Sequence, residues 1–263
     1  MCHKIRHPRY WLIVPFKMAG LEIISDQGYR IDGRRSSELR KVCARMGVFT
    51  QADGSAYIEQ GNTKALATVY GPHEVRKGRG KIQHDRAVVN CQFSMATFST
   101  GERKSRPKGD RRSQEMSMHL RQTFEAVIVT ELFPRSQIDI YVQILQADGG
   151  NYCACVNAAT LAVIDAGIPM KDYVCACTAG FIQDSPLLDI SYVEESAGAP
   201  FLTVAMMPKS EQIVLLEMNS RLHADNMEKV LDLATQGCKD VFAVLDRHVR
   251  DHVSESHALM TAS

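Results

Sequence analysis

The sequence lacks a surplus of charge of either sign. Its 263 residues include 31 lysines and arginines against 30 aspartates and glutamates. Net charge therefore gives no indication of nucleic-acid or membrane binding, and any basic surface has to come from local clustering. Long hydrophobic runs are missing too, since no stretch approaches the roughly 20 apolar residues of a membrane-spanning helix. The composition, 45% hydrophobic and 23% charged, is that of an ordinary globular protein, and we expect no membrane association.

Linkers rich in proline and serine are also missing, as are short-period repeats, which favours one compact domain. Near the N-terminus, the apolar run at 11–14 is too short for the core of a signal peptide, and Met18 is a second plausible start. We therefore expect residues 1–17 to be an extension outside the fold. Residues 18–250 are expected to form the domain, and residues 251–263 a frayed C-terminal tail.

Eight cysteines are spread through the chain, mostly in apolar segments. The pairs Cys153/Cys155 and Cys175/Cys177 invite comparison with a zinc site. Zinc ligands usually stand about two to four residues apart on turns, however, rather than inside apolar segments. The spacing favours small buried side chains in a reducing compartment, and we expect no metal site here.

Strands and helices alternate in clumps along the chain, which predicts an α+β (mixed α/β) fold. Runs rich in β-branched and aromatic residues, or alternating between polar and apolar residues, predict strands at 55–59, 64–70, 87–98, 138–146, 174–182, 187–193, 202–207 and 212–218. Apolar residues at helical spacing predict a helix from Asp110 to just before Pro134, one at 152–166 and one at 224–249. The second helix is apolar nearly all round, so we expect it to be buried between a sheet and other helices.

A pair of glycines separates a predicted strand from the apolar helix. Asp148, Gly149 and Gly150 stand at this junction. Paired glycines let a backbone approach a ligand closely, and a helix N-terminus attracts anions. A plain tight turn is the commoner explanation for such a pair, so the motif alone indicates little.

Basic residues cluster in two loops. The first loop carries Arg76, Lys77, Arg79, Lys81 and Arg86, and the second carries Arg103, Lys104, Arg106, Lys108, Arg111 and Arg112. Arg111 and Arg112 fall at a predicted helix start, where the positive end of the helix dipole disfavours cations unless an anion is bound. This conflict favours phosphate binding, and a solvated loop is an equally weighted alternative.

Acidic residues gather late in the chain, at Asp184, Asp189, Glu194 and Glu195. Carboxylates on adjacent strands are suitable ligands for a magnesium ion. Exposed strand edges also carry carboxylates simply because they are solvated, and this explanation is the favoured one.

Several long segments then match one family in order: QGYRIDGRR (27–35), ADGSAYIEQGNTKALATVYGP (52–72), GERK (101–104), GDRRSQEMSMHLRQTFEAVI (109–128), QADGGNYCACVNAATLAVIDAGIPM (146–170) and LLDISYVEE (187–195). Together they resemble the RNase PH family and, more narrowly, the ring subunits of the eukaryotic RNA exosome. The resemblance covers nearly everything from Met18 onward.

This resemblance implies an RNase PH-like fold, a single domain of mixed sheets flanked by helices, with several such subunits paired into a ring. Active members use inorganic phosphate to attack the 3′-terminal linkage of RNA and release nucleoside diphosphates. A Gly-Gly-Thr-Arg turn at a helix N-terminus grips the phosphate, and an Arg-Arg pair binds the RNA backbone. Aspartates on neighbouring strands hold a metal ion. Chemistry of this kind depends on positioning and charge stabilisation.

The phosphate-binding turn departs from the family pattern. Gly149 and Gly150 match its glycines, but Asn151 and Tyr152 stand where the family has threonine and arginine. A tyrosine cannot make the charged, bidentate contact with phosphate that arginine makes. We therefore expect the grip on phosphate to be lost.

The other site positions are retained unequally. Arg111 and Arg112 match the Arg-Arg pair, Asp189 matches the first strand aspartate, and the longer carboxylate of Glu195 stands at the second. Phe201 aligns near a third aspartate and cannot bind a metal. The resemblance with these departures implies a non-catalytic ring subunit with no cofactor, whose remnant site comprises Gly149, Gly150, Tyr152, Asp189 and Glu195.

Such a subunit is expected to scaffold the ring and to guide single-stranded RNA for 3′-to-5′ processing and decay, including ribosomal RNA maturation. RNA contacts are expected at Arg103, Lys104, Arg106, Lys108, Arg111 and Arg112. They are less secure at Arg76, Lys77 and Arg79, where the loop is longer than the archaeal pattern. The alternative is an active phosphate-dependent 3′-to-5′ exoribonuclease that uses Asp189, Glu195 and Mg²⁺.

The resemblance also implies the partners of such a subunit. They are other RNase PH-type ring subunits, cap subunits with S1 or KH domains, single-stranded RNA, and a hydrolytic nuclease reached through the ring. Locations in the nucleus, nucleolus and cytoplasm are implied as well. No basic run of about five to eight residues is present as a targeting signal, so import is expected to depend on partners.

Overall fold

The computed structural model describes residues 23–74, 84–103 and 109–262, with side chains described up to residue 258. The expected N-terminal extension at 1–17 lies outside these ranges. So do several of the basic positions singled out in the two loops, namely Arg76, Lys77, Arg79, Lys81, Lys104, Arg106 and Lys108.

The first sheet has five strands: β1 (Val42–Met46), β2 (Gly54–Gln60), β3 (Thr63–Glu74), β4 (Val88–Met95) and β5 (Ser136–Gln146). Their order is β1-β2-β3-β5-β4, and every pair is antiparallel except β4 and β5. Alternate side chains of β2 and β3 point to one face, where Ile58, Ala67 and Val69 are fully buried. This period of two is the one that the sequence pattern predicted for these strands.

The second sheet is fully antiparallel and has four strands: β6 (Cys175–Ile182), β7 (Ser185–Leu188), β8 (Phe201–Met207) and β9 (Gln212–Met218). Their order is β7-β6-β8-β9. A two-residue turn joins β6 to β7, and both of its residues, Gln183 and Asp184, have positive φ. Such φ values are those of the turn that matches the twist of a hairpin.

Within the described ranges, four α-helices cover and separate the sheets: α1 (Arg111–Val127), α2 (Asn151–Asp165), α3 (Tyr192–Ser196) and α4 (Ala224–Ala262). Helix α2 contacts β2, β3 and β5 of the first sheet and β6 and β8 of the second. Its residues are buried from Tyr152 to Val163. The prediction that this helix is buried is confirmed, although its main neighbours are two sheets rather than one sheet and other helices.

Helices α1 and α4 lie on the outside. Helix α1 packs beside β4 and β9, and α4 covers β6, β7 and β8 and reaches β1. Asp110 caps α1 as expected, because its side chain accepts a hydrogen bond from the Arg111 amide at 2.9 Å. The predicted α+β architecture of mixed sheets flanked by helices is thus confirmed.

Several predicted boundaries were wrong. The strand predicted at 87–98 ends at Met95, and a turn follows it. Helix α1 ends at Val127 instead of near Pro134, because Ile128 becomes extended and pairs with Met170. Residues 187–193 are not one strand: β7 ends at Leu188, and a capping box between Ser191 and Glu194 starts the short helix α3. Such reciprocal capping satisfies backbone donors that a strand would leave for a neighbour.

Helix α4 continues past its predicted end at residue 249 to Ala262, so residues 251–262 are helical rather than frayed. No glycine or proline interrupts the sequence from 239 to 262, and those are the residues that most readily end a helix. The extension also has a contact to the body of the protein, since His252 Nε2 lies 3.6 Å from Asp165 Oδ1.

The cysteines behave as small apolar side chains. Cys153, Cys155, Cys175, Cys177 and Cys238 are fully buried, and burial raises the pKa of each of these thiols. Over the described ranges, no group of three or more His, Cys, Asp or Glu side chains is placed to hold a metal ion. None of the helices in those ranges combines the length and apolar character required to cross a membrane.

Candidate functional site

A cleft of about 700 Å³ opens where the N-termini of α1 and α2 meet α3 and the second sheet. It is lined by residues from all of these elements: Asp110, Arg111, Arg112, Glu115, Met116, His119, Gly150, Asn151, Tyr152, Thr178, Tyr192, Glu195, Ser196, Phe201, Thr203, Glu217 and Asn219. The cleft thus brings together both arginines of the predicted RNA-binding pair, the start of the apolar helix and Glu195.

The glycine turn reaches this cleft through Gly150, which is one of the lining residues. Gly149 and Gly150 both have positive φ, at 78° and 60°. A Cβ atom on Gly149 would lie 2.6 Å from the Ile190 carbonyl oxygen, and one on Gly150 would lie 2.9 Å from Arg40 Nη2. Both positions therefore require glycine, for conformation and for space. The turn brings its backbone against the segment between β7 and α3.

Tyr152 occupies the second position of α2, where the family resemblance places an arginine. The side chain is 3% exposed, and its hydroxyl lies 2.8 Å from Thr123 Oγ1. Because the Thr123 hydroxyl already donates to the His119 carbonyl, Tyr152 is the donor of this pair. Burial raises the pKa of the Tyr152 hydroxyl far above its ordinary value. At this position the cleft therefore has a neutral ring that is already hydrogen-bonded.

Asp189 lies directly behind the glycine turn and is completely buried. Its Oδ2 accepts hydrogen bonds from the backbone N and Nε of Arg40, both at 3.0 Å. Its Oδ1 accepts from Arg40 Nη2 at 2.7 Å and from Gln60 Nε2 at 3.1 Å. Burial alone would raise the pKa of the Asp189 carboxyl, but the hydrogen bonds and charge of Arg40 outweigh it and hold that pKa below its usual value.

Arg40 extends this contact to the turn itself. Its Nη1 donates to the Asp148 carbonyl at 2.7 Å, and Thr63 Oγ1 donates to the Gly149 carbonyl at 2.8 Å. Through Arg40, the carboxylate of Asp189 fixes the backbone of the glycine turn. We define the buried network as Arg30, Arg34, Arg40, Asp189 and Glu194.

The rest of the buried network ties the N-terminal segment to α3. Arg30 Nε donates to Glu194 Oε1 at 2.7 Å, and Arg30 Nη2 donates to the Asp189 carbonyl at 3.0 Å. Arg34 Nη2 donates to the same carbonyl at 3.1 Å. The side chains of Arg30 and Glu194 are almost completely buried. A buried charge is tolerated only when it is paired in this way.

The outer edge of the cleft is exposed and charged. We define the rim as Arg111, Arg112 and Glu195. Arg112 Nη2 lies 3.6 Å from Glu195 Oε1, and Arg111 Nε donates to Glu115 at 3.0 Å. The arginine side chains remain 91% and 67% exposed, so their guanidinium groups are accessible to a polyanion. Arg103 and Arg86 are exposed in their loops as well.

Sequence reasoning missed several residues of the cleft. His119 Nδ1 lies 3.3 Å from Glu217 Oε2, and the His119 ring meets Tyr152 edge-on with centroids 6.3 Å apart. Asn151 Oδ1 is buried and accepts no hydrogen bond from the described part of the chain. His119 was visible within the matching segment at 109–128, whereas Glu217 had no sequence signal.

The acidic residues do not form a metal site. Asp184 is exposed in the turn between β6 and β7, Asp189 has both oxygens occupied by Arg40 and Gln60, and Glu194 is paired with Arg30. Of these four carboxylates, Glu195 alone lines the cleft, and Phe201 is another of the lining residues. This donor set does not fit a magnesium ion, which prefers several oxygen ligands in octahedral arrangement. The expectation that these carboxylates stand on adjacent strands was wrong, because two of them lie on α3.

Comparison with known proteins agrees with this architecture. The profile of the 3′ exoribonuclease family, domain 1, matches residues 38–169, and that of domain 2 matches residues 172–237. The chain belongs to this family, the RNase PH family. The two profiles divide the chain between the first sheet with α1 and α2 and the second sheet with the start of α4.

Among similar proteins, the human exosome complex component RRP41 is 68% identical over 243 residues, which cover 92% of this chain and 99% of that protein. The archaeal exosome complex component Rrp41 of Methanopyrus kandleri is 44% identical over 229 residues, covering 87% and 95% of the two chains. An Archaeoglobus fulgidus exosome with RNA bound to the active site has the same fold, with a TM-score of 0.71 at 21% identity over 82% of this chain and 92% of that one.

Proposed function

We propose that this chain is a non-catalytic ring subunit of an RNA exosome. It scaffolds the ring and guides single-stranded RNA past the rim of the cleft. Proteins named exosome complex component RRP41 are similar to it over almost their whole length. The single observation that carries the non-catalytic part is Tyr152. It fills the phosphate-binding position with a buried, neutral side chain hydrogen-bonded to Thr123.

The loss of arginine at this position has a large expected effect on phosphorolysis. Removing one preorganised charge contact costs about 3–4 kcal/mol in the transition state, or roughly a hundredfold to a thousandfold in rate. A guanidinium contacts phosphate through two parallel donors, which a phenol cannot reproduce. The buried state of Asp189, with Arg40 and Gln60 on its oxygens, supports the same conclusion.

RNA guidance is supported by the rim. Arg111 and Arg112 are highly exposed at the entrance of the cleft, at a helix N-terminus where an anion is favourable. Arg103 is exposed in the loop before α1, and we include Lys104, Arg106, Lys108, Arg76, Lys77 and Arg79 among the proposed contacts on the strength of the sequence. Contacts to the RNA backbone predict little sequence preference and strong dependence on salt.

The alternative is an active phosphate-dependent exoribonuclease that uses Asp189, Glu195 and Mg²⁺. Glu195 does face the cleft, which is the observation in its favour. It requires Asp189 to leave Arg40, however, and so to break a buried ion pair. This alternative predicts release of nucleoside diphosphates when phosphate is supplied.

The proposed partners follow from the same reasoning. They are other RNase PH-type ring subunits, cap subunits with S1 or KH domains, and a hydrolytic nuclease that cuts the RNA delivered through the ring. We propose a role in ribosomal RNA maturation and RNA decay in the nucleus, nucleolus and cytoplasm, with no cofactor held by this chain.

RNA binding by the reconstituted ring tests the guidance role. We expect the affinity for single-stranded RNA to fall steeply with salt, and the double variant Arg111→Gln/Arg112→Gln to lower the logarithmic slope by about 0.7 for each lost phosphate contact. Arg121→Gln is the matched control, because Arg121 lies further along α1 and pairs with Glu125 in the same way that Arg111 pairs with Glu115. An affinity that does not change with salt would contradict the proposal.

A further inference from the structure

Phe98 is the most exposed large hydrophobic side chain in the described part of the chain, with 73% of its surface accessible. A phenylalanine stabilises a fold through the hydrophobic effect only when it is buried, so the fold gains little from this exposed ring. Single exposed apolar residues are common on proteins. The surroundings of Phe98 are what distinguish it.

The backbone on both sides of Phe98 is fixed. The Ala96 amide donates to the Ile144 carbonyl at 2.8 Å, and the Ser99 amide donates to the Ala96 carbonyl at 3.0 Å. The Ala147 amide in turn donates to the Ser99 carbonyl at 2.9 Å. Ser99 is itself buried, with 3% exposure. The ring is therefore displayed to solvent by a tight turn that is hydrogen-bonded to β5 and to the residue that follows it.

This anchoring places Phe98 close to the cleft. The Ala147 amide donates to the Ser99 carbonyl of this turn. Asp148, Gly149 and Gly150 follow Ala147 directly in the sequence. The same turn leads toward α1, whose first residues form the rim, and the Ser117 hydroxyl of α1 accepts a hydrogen bond from the Phe93 amide of β4. The turn that carries Phe98 is thus hydrogen-bonded to the residue that precedes Asp148 and the glycine turn.

The charge around Phe98 fits a polyanion. A groove of about 510 Å³ runs beside the ring and is lined by Thr97, Phe98, Thr100, Gly101 and Arg103. Among the lining residues in the described part of the chain, Arg103 is the charged one, and it is exposed. An aromatic face next to a cation is the arrangement with which proteins hold single-stranded nucleic acid, because every base has a π-face and every linkage has a phosphate.

We propose that Phe98 is a stacking platform for one base of single-stranded RNA on its way to the cleft, with Arg103 contacting an adjacent phosphate. This inference rests on the proposed RNA-guiding function and adds to it a contact with the base. Stacking tolerates any sequence, so the platform would hold RNA without selecting it.

The test uses the full chain reconstituted with its ring partners, and two RNAs of equal length, a uridine homopolymer and an abasic strand. Phe98→Leu retains apolar volume but removes the π-face, and Phe98→Tyr retains the face. We expect Phe98→Leu to weaken binding of the uridine RNA by about 5- to 150-fold, while Phe98→Tyr binds like the wild type. On the abasic strand, and in the slope of affinity against salt, all three proteins should agree.

Equal affinity of the wild type and Phe98→Leu for the uridine RNA would overturn the inference. An equal loss on the abasic strand would overturn it too, because the ring would then act without a base. A Phe98→Leu chain that no longer enters the ring would identify Phe98 as a protein contact, against the proposal. If affinity did not vary with salt, the RNA-guiding function itself would fail. If affinity does vary with salt but the Phe98 variants bind like the wild type, the RNA-guiding function stands and only the stacking role of Phe98 is rejected.

Discussion

The cleft has a buried side and an exposed side, and the two use charge in opposite ways. On the buried side, Arg40 and Gln60 donate hydrogen bonds to both carboxylate oxygens of Asp189, and these bonds stabilise the fold. On the exposed side, Arg111 and Arg112 make only loose surface pairs with Glu115 and Glu195. Asp189 thus acts as a structural element of the fold, whereas Arg111 and Arg112 remain accessible to a ligand.

This difference shows why a retained residue is not by itself evidence of retained chemistry. A buried ion pair strongly resists loss of either partner, because the remaining charge is left uncompensated. Asp189 therefore contributes to stability whether or not it takes part in catalysis. Exposed surface pairs contribute about 0–1 kcal/mol, so Arg111 and Arg112 add little to stability through their pairs with Glu115 and Glu195.

The largest expected effect is on the buried side. Asp189→Ala leaves the Arg40 guanidinium buried without its counter-ion, and we expect the free energy of unfolding to fall by about 3–5 kcal/mol. Urea denaturation of the full chain measures it. Arg112→Ala is the matched control at the rim, with an expected change below about 1 kcal/mol. Similar losses in the two variants would show that the two sides do not differ as described.

A second test concerns the glycine turn that separates the two sides. Gly149→Ala places a Cβ atom within 2.6–2.8 Å of the backbone of residues 190–192. We expect it to destabilise the fold by about 2–3 kcal/mol, from backbone strain and overpacking together. Gly167 has a similar positive φ with open space around it, so Gly167→Ala isolates the strain alone, at about 1 kcal/mol. Thermal or urea unfolding that gave equal losses would contradict the close approach.

The smallest expected effect is the response to acid. The pKa of the Asp189 carboxyl in the fold lies below its ordinary value of 3.8. Its contribution to stability is therefore complete above that value and is lost as the pH falls through the lower pKa of the folded state. Urea unfolding between neutral pH and about pH 3 should show a shallower decline in Asp189→Asn than in the wild type. Parallel curves would mean that Asp189 does not supply this dependence.

Much of the fold could be predicted from local pattern. The alternation in β2, β3 and β5 and the apolar sequence of α2 identified these elements, because each buries a face set by its own periodicity. The end of α1 and the start of α3 could not be found in this way. Ile128 leaves α1 to pair with Met170, and α3 spans only five residues, too few to establish a period.

The site was predictable where it depended on motif and not where it depended on distant pairing. The glycine turn, Tyr152 and the Arg111/Arg112 pair were found because they stand in contiguous segments. The partnership of Arg40 with Asp189 joins residues 149 positions apart, and nothing in the local sequence of either indicates the other. For the same reason Asp184, Asp189, Glu194 and Glu195 looked like one acidic cluster, although they have separate roles.

The proposed loss of catalysis is tested most directly by a phosphorolysis assay on the ring reconstituted with this chain and without any hydrolytic nuclease. Single-stranded RNA with a labelled 3′ end is supplied with magnesium, with and without inorganic phosphate. If the subunit is non-catalytic, no labelled nucleoside diphosphate is released in either case, while RNA remains bound. Phosphate-dependent release of nucleoside diphosphate that disappears in a Glu195→Gln variant would contradict the proposal, because the cleft would then be a working active site.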